Sequence, residues 1–499
     1  MFAPRSALIP WRRGALGNVT VTVTKLPHSS LLRSFTSVPV SRDVRKHAPS
    51  WWLDRSGVPC GGISNVSIRS FIRDGKSGGP GTRKAPRFAF AFDIDGVLLH
   101  VAKPIPGATK TLQYLQRHDI PFILLTNGGG KHERERVEEL SARLGVPLST
   151  ENFVQSHTPF QELVNTSWSS HHDQLDRHIQ KELLEDDTNN SNIYKNNNNA
   201  GFADKNIFIT GSDPAKSRLI AEAYGFRSVI TPADIAAAHP TMFPFESQLK
   251  EYYASTARPL PSPNPKIDAM FVFNDPRDWA VDTQIIVDLL LSENGVLGTY
   301  SAKNGRGGSR EGENYGWQSD GQPHLYFSNH DLFWSATYHL PRFGQGAFQA
   351  ALVGIWDQIT GGKAELRRTT IGKPYPRTYE FAETVLAQWR SALLKKSGTS
   401  ASSSAAAADI TNGEAGEGGG EEEDTEPLCH VYMVGDNPES DIRGANEYKS
   451  PHGTEWKSIL VRTGVWSRDR DGEPKYKPTA IADDAKGAVE WALEQEGWR

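Results

Sequence analysis

Cysteine is almost absent. Cys60 and Cys429 are the only two in 499 residues, and neither belongs to a CxxC pair. That argues against a disulfide framework and against a cysteine-ligated zinc site. Long apolar runs are missing too: none approaches the roughly 18–20 residues that a membrane-spanning helix requires. No integral membrane segment is therefore expected. Nor is there a basic excess, since the formal net charge is −4. A dedicated nucleic-acid binder would carry a basic footprint, so nucleic acid is not an expected partner.

A local absence is more informative. Met1 to Arg42 contains no acidic residue, whereas Arg5, Arg12, Arg13, Lys25, Arg33 and Arg42 are basic and Ser and Thr are frequent. Apolar residues are interspersed and form no compact block. This composition fits a mitochondrial presequence, taken as residues 1–35, better than a secretory signal. Arg33-Ser34-Phe35 followed by Thr36 resembles a matrix-processing site. The expected location is the mitochondrion, in its matrix.

What remains is long enough for more than one core, and 37% hydrophobic residues can fill it. Residues 36–85 read as a poorly ordered linker. Two further stretches lack the apolar content to offset the entropy of ordering. One is the Asn-rich 187–200; the other is 397–427, Ser/Ala followed by Gly/Glu.

Between them, short apolar runs recur at Phe88–Ile94, Pro121–Thr126, Asn206–Thr210, Thr369–Ile371, Val431–Val434 and Ser458–Val461. The first and fifth are apolar at nearly every position, as strands covered on both faces are. Helical patterns lie between several of them. Val137, Leu140 and Leu144 recur at helical spacing and stop at Gly145, and Ala382, Val385, Leu386, Trp389 and Leu393 share a face. The expectation is an α/β fold: a doubly wound parallel sheet with helices on both sides. Its active site should lie beyond the carboxyl ends of the strands.

Four chemical segments fall at such ends. Asp93 and Asp95 follow Phe88–Phe92, and alternate residues of an extended chain share a side. Two carboxylates so close need a cation, a shared proton or separate roles. Thr126-Asn127 follows a second run and precedes Gly128, Gly129 and Gly130, whose N–H groups could face an oxyanion. Lys373 precedes Pro374, which biases it away from helical angles. Gly435-Asp436 with Asp441 follows Val431–Val434. Oxygen-only ligands without His or Cys suit Mg²⁺. Taken singly, an acidic turn, an Asn-Gly turn and a surface lysine are each ordinary; their order along the chain is not.

In these segments the chain resembles the haloacid-dehalogenase superfamily. Asp93-x-Asp95 is similar to its first motif, Thr126 to its second, Lys373 to its third, and Gly435-Asp436 with Asp441 to its fourth. The resemblance implies that Asp93 is the nucleophile of a phosphoryl transfer and forms an aspartyl-phosphate. It implies that Asp95 is its acid and base, and that Thr126, Asn127 and Lys373 bind the phosphate. Mg²⁺ would be held by Asp93, the backbone carbonyl of Asp95 and Asp436, with Asp441 orienting that shell. Asp95 also separates the chain from dehalogenases, which have no leaving oxygen to protonate, and P-type ATPases resemble Asp-Lys-Thr at this point.

The interval between Thr126 and Lys373 is too long for one sheet connection. An inserted α/β cap, 212–368, is expected within a hydrolase core of 86–211 and 369–499. Such a cap resembles the NagD and 4-nitrophenylphosphatase-like subfamily. More narrowly, Ser156-His157-Thr158-Pro159-Phe160, Ala223-Tyr224-Gly225-Phe226, Phe273-Asn274-Asp275-Pro276-Arg277-Asp278-Trp279 and Tyr432 to Pro438 resemble the mitochondrial cat-eye-syndrome critical-region family. Polar cap segments at 274–279 and 329–331 are candidate substrate contacts, or ordinary polar loops. Gly344-Gln345-Gly346 reads as the start of a helix, and Gly361-Gly362-Lys363-Ala364 ends in the wrong residue for a nucleotide P-loop. The implied activity is hydrolysis of a small phosphorylated metabolite; the alternative is a binding or regulatory protein on the same fold. Phosphatidyl transfer from CDP-alcohols is disfavoured, because the chain has neither a DGxxAR-like motif nor membrane helices. No segment specifies an oligomeric state.

Overall fold

The computed structural model describes residues 85–165, 201–245, 249–306, 314–334, 338, 340, 342–405 and 427–498. The presequence, nearly all of the linker and the Asn-rich insertion lie outside these residues. Eleven strands among them build two parallel sheets. In chain order they are β1 (Phe88–Phe92), β2 (Phe122–Leu125), β3 (Phe153–Val154), β4 (Asn206–Thr210), β5 (Ser228–Ile230), β6 (Ala269–Val272), β7 (His324–Phe327), β8 (Thr369–Thr370), β9 (His430–Gly435), β10 (Glu455–Val461) and β11 (Ala480–Ala482). The first sheet runs β11-β10-β9-β1-β2-β3 and the second β8-β7-β6-β4-β5.

All five residues of β1 are buried because each face meets its own core. Phe88, Phe90 and Phe92 join Phe122, Leu124, Tyr432 and Val434 under helices Ala108–Arg117, Glu133–Leu144 and Ala485–Gln495. Burying each of these phenylalanines contributes about 1.5–3 kcal/mol. On the opposite face Ala89 and Ala91 leave room for Tyr379, Ala382 and Leu386 of helix Pro376–Ala405, together with Tyr448 and Trp456. Small residues on one face and aromatic ones on the other explain why the run shows no alternation.

That helix extends through Ala405, into the stretch expected to be unstructured from 397. Residues 406–426 of the expected insertion lie outside the described residues.

The second sheet draws in strands that the sequence boundaries place in the core. β4 pairs with both β5 and β6, and β8 pairs with β7 through Thr369↔Tyr326 and Thr370↔Phe327. Short parallel strands carry no label for the sheet they join, so the boundaries at 211 and 369 each fall just past or just before a strand of the second sheet. One of its faces packs on helices Trp279–Leu291 and Gln345–Thr360. The other gathers Ile207, Ile209, Phe271 and Phe273 around Phe160, Leu163, Val164 and Ile371, which lie where the chain passes between the sheets. No helix among the described residues is long and apolar enough to cross a membrane.

Candidate active site

Register decides which strand ends meet. Phe92 pairs with Val434 on one side and with Leu124 on the other. Asp93 therefore leaves the sheet between Thr126 and Asp436, and its N–H is fixed to the Val434 carbonyl at 2.9 Å. Gly96, at φ +89°, turns the chain back at once, and a Cβ there would collide with the Asp436 carboxylate.

Lys373 comes from the other sheet. It stands just beyond β8, where the chain returns toward helix Pro376–Ala405, and not at an end of the first sheet as its motif position suggested. Gly372, at φ +89°, makes that turn against the Ser328 carbonyl. The Asn127 side chain then clamps the Lys373 backbone twice: Nδ2 donates to its carbonyl at 2.8 Å and Oδ1 accepts its N–H at 2.7 Å. The ammonium reaches back to Asp93 Oδ1 at 2.7 Å, Asp441 Oδ1 at 2.6 Å and the Leu125 carbonyl at 2.9 Å. Lys373 is almost fully buried.

Asp436 and Asp441 are held by their own loop. Oδ2 of Asp441 accepts the N–H groups of Asp436 and Asn437 at 3.1 and 3.0 Å. Oδ2 of Asp436 accepts the Val465 N–H at 2.6 Å. That last contact comes from the loop after β10, a fifth strand end that motif reading passed over. Thr463-Gly464 directly after an apolar run was its only signal; Gly464 has no room for a Cβ beside the Asp436 carboxylate.

Asp93, Asp436 and Asp441 offer oxygen atoms that all lie within 4.8 Å of one another. The Asp95 carboxylate is not in that group and is exposed. Burial raises Asp93 well above the carboxylate range; Lys373 pulls it down, but Asp441 and Asp436 add to the rise. Burial, with Asp441 next, pushes Asp436 up to about 7. For Lys373 burial alone would lower the pKa, but Asp441 and Asp93 more than offset it, so it stays protonated. One ammonium thus faces three crowded carboxylates. An all-oxygen donor set with this surplus of negative charge fits a hard divalent cation such as Mg²⁺. Asp95 is also raised, chiefly by loss of solvent on its inner side, against the pull of Arg136 and Arg143.

Thr126 is buried, and its Oγ1 accepts the Gly128 N–H at 3.0 Å. Gly130 donates to His157 Nε2 at 3.3 Å. Two of the three glycine N–H groups expected to face a ligand are therefore already used within the protein. Asn329 of the second sheet's loops donates to the Asn127 carbonyl at 3.3 Å. The carboxyl of half-buried Asp331 is raised to about 6 by desolvation, lowered in part by Asn127 and Lys373. Asn329 and Asp331 are thus brought to the crevice, whereas Arg277 is exposed and Asp278 caps the helix Trp279–Leu291 through the Val281 N–H.

The site is a carboxylate cluster at parallel strand ends, bridged by a buried lysine that comes from the second sheet. The haloacid dehalogenase-like hydrolase family matches residues 90–227, and the HAD-hydrolase-like family matches 370–488. A mitochondrial hydrolase of Saccharomyces cerevisiae is 36% identical over 412 residues, covering 82% of this chain and 96% of that protein. A cardiolipin synthase (CMP-forming)/mitochondrial hydrolase fusion protein of Schizosaccharomyces pombe is 36% identical over 81% of this chain and 53% of its own length. Among solved structures, 4-nitrophenylphosphatase of Thermotoga maritima has 16% identity and a TM-score of 0.44, covering 81% of this chain and 96% of its own. NagD of Escherichia coli has 16% identity and a TM-score of 0.40, covering 80% and 96%. The chain belongs to the haloacid dehalogenase-like hydrolases.

Proposed function

We propose that the chain is a Mg²⁺-dependent phosphatase that hydrolyses a small phosphorylated metabolite through an aspartyl-phosphate on Asp93. The observation that carries this reading is the Lys373 ammonium bridging Asp93 and Asp441 beside Asp436. It joins a carboxylate nucleophile, a phosphate-binding cation and an oxygen-rich metal site in one crevice.

Asp93, Asp436 and Asp441, with the backbone carbonyl of Asp95, would hold Mg²⁺. When bound, the ion supplies positive charge that lets an anionic nucleophile approach an anionic phosphate. Asp93 attacks phosphorus, and the ester P–O bond breaks. The leaving oxygen takes the proton of Asp95, whose upward shift favours the protonated form. Water then attacks the phosphorus of the aspartyl-phosphate and gives its proton to Asp95. Inorganic phosphate leaves and the Asp93 carboxylate is restored. Lys373 and Thr126 meet the phosphoryl oxygens as charge redistributes, and Asn127 keeps Lys373 in place.

The reading also locates the protein in the mitochondrial matrix, supported by the acid-free N-terminal composition and by two relatives named as mitochondrial hydrolases. Expression of the full chain with a C-terminal fluorescent tag should give a mitochondrial signal that disappears when residues 1–35 are deleted. For the activity, the purified protein is assayed on a panel of phosphomonoesters with and without Mg²⁺. Turnover should require the metal, and Asp93→Asn should abolish it. Mg²⁺ binding without turnover on any ester would support the alternative of a binding or regulatory protein.

A further inference from the structure

Three of the segments that set this sequence apart, His157, Tyr224 and Phe273-Asn274, are remote in the chain and take no part in the chemistry above. In the fold they converge on one loop, Gly128–Gly130, which directly follows Thr126 and Asn127. His157 is fully buried and its ring stacks on Phe273 at 5.1 Å between centroids, only 10° from parallel. Its Nε2 accepts the Gly130 N–H at 3.3 Å. A backbone N–H can only donate, so the imidazole proton must sit on Nδ1. Nδ1 lies 2.8 Å from Tyr224 Oη and donates to it. Tyr224 in turn donates to Glu133 Oε1, which also accepts from Thr158 Oγ1 at 2.8 Å.

The charges agree with these directions. Burial depresses His157 to about 4, so the ring is neutral. Burial would raise Glu133, but the hydrogen bonds from Tyr224 and Thr158 work against it and the carboxyl stays below its ordinary value. Tyr224, raised well above its ordinary value first by burial, remains a donor.

The rest of the loop is fixed as firmly. Gly128 donates to Thr126 Oγ1 and its carbonyl accepts the Ser156 N–H at 3.2 Å. A Cβ on Gly129 would sit 2.7 Å from Ser156 Oγ and 3.0 Å from His157, and one on Gly130, at φ +90°, would overlap the Asn274 amide. Ser156 Oγ is itself buried and finds no hydrogen-bond partner among the described residues. With both neighbours pinned, the exposed Gly129 is the member of the loop whose N–H has no acceptor among the described residues.

We propose that His157, its proton placed by Tyr224 and Glu133, is a positioning residue that holds the glycine loop so that the Gly129 N–H meets an oxygen of the bound phosphate ester. N–H donors set in advance bind an oxyanion without the cost of ordering a loop around it. The inference rests on the phosphatase reading for its substrate. Its structural half, a histidine that fixes the loop, does not.

The test compares His157→Phe, Tyr224→Phe and His157→Gln with wild type. Phenylalanine keeps the stack on Phe273 and loses the acceptor. Tyr224→Phe removes the acceptor for Nδ1 and frees the ring to take the tautomer that repels Gly130. Glutamine can return an acceptor oxygen toward Gly130. Hydrogen exchange of the peptide spanning 127–131, followed by mass spectrometry, should quicken about tenfold or more in the first two variants and recover in the third. Competitive inhibition by inorganic phosphate should weaken about tenfold, and KM should rise more than kcat falls. Mg²⁺ affinity by titration calorimetry should be unchanged, because the carboxylate cluster does not touch His157; that also shows the fold intact. Wild-type exchange rates and phosphate affinity in His157→Phe would overturn the proposal. A wild-type protein inert on every ester would defeat the phosphatase reading, while loop exchange and phosphate binding would still decide the role of His157.

Discussion

Lys373 is a buried cation held between two carboxylates. A lysine this deeply buried is tolerated because Asp93 and Asp441 lie at 2.7 and 2.6 Å. The converse holds too: those carboxylates are tolerated because of the lysine. Lys373→Met keeps most of the side-chain volume and removes the charge. It leaves an uncompensated buried acidic cluster, a change that typically costs about 3–5 kcal/mol. Part of that loss should be recovered by any cation that binds the native cluster and not the unfolded chain. Denaturant unfolding of wild type and variant, with and without Mg²⁺, checks this. The stability gap should narrow clearly in Mg²⁺, while turnover stays at least a hundredfold down. An equal gap in both conditions would mean that lysine and metal site are not electrostatic partners.

At the scale of elements, what the sequence made legible and what it hid have different physical causes. β1 and β9 stand out because both faces of a central parallel strand are covered, so nearly every position is apolar. Strand ends are legible for the same reason, since the first polar residue after such a run must leave the sheet. Asp93, Thr126 and Asp436 therefore read as strand-end residues from the sequence alone. β8 was misplaced because two residues of strand contain no periodicity, and its sheet is chosen by tertiary pairing with Tyr326 and Phe327. The clamp on Asp436 was hidden for another reason: its donor is the backbone of Val465, and a main-chain N–H has no sequence signature. Gly464 is the trace it leaves. Gly464→Ala should push Asp436 out of the cluster because a Cβ has no space beside that carboxylate. Titration calorimetry should then show Mg²⁺ binding at least tenfold weaker, with circular dichroism unchanged. Gly354→Ala, at a helix glycine with nothing within 4 Å, tests for a general glycine effect and should leave Mg²⁺ affinity at the wild-type value. Undiminished affinity in Gly464→Ala would remove the loop after β10 from the site.

For the whole molecule, the two sheets act together only if something transmits position between them, and beside the Lys373 and Asn329 contacts at the site an aromatic cluster does so. Phe160, on the segment Thr158–Val164 that follows the last strand of the first sheet, is fully buried. It meets Phe271 edge-on at 5.1 Å and Phe273 at 5.5 Å, both belonging to the second sheet's β6 and its end. Phe273 also carries the stacked ring of His157, which in turn holds Gly130. The same aromatic cluster therefore joins the sheets and supports the loop beside Thr126. Phe160→Ala should cost about 3–5 kcal/mol from lost burial and the residual cavity. Leu290→Ala is a matched control within the second sheet's other core, where a comparable loss of about 2–5 kcal/mol is expected without contact with that cluster. The two variants should destabilise similarly in urea but differ in function. Phe160→Ala should raise KM per folded molecule several-fold by loosening the His157 stack, whereas Leu290→Ala should leave it at the wild-type value. An identical effect on KM in both would mean that the sheets communicate through overall stability alone, and not through the Phe160–Phe273–His157 contact.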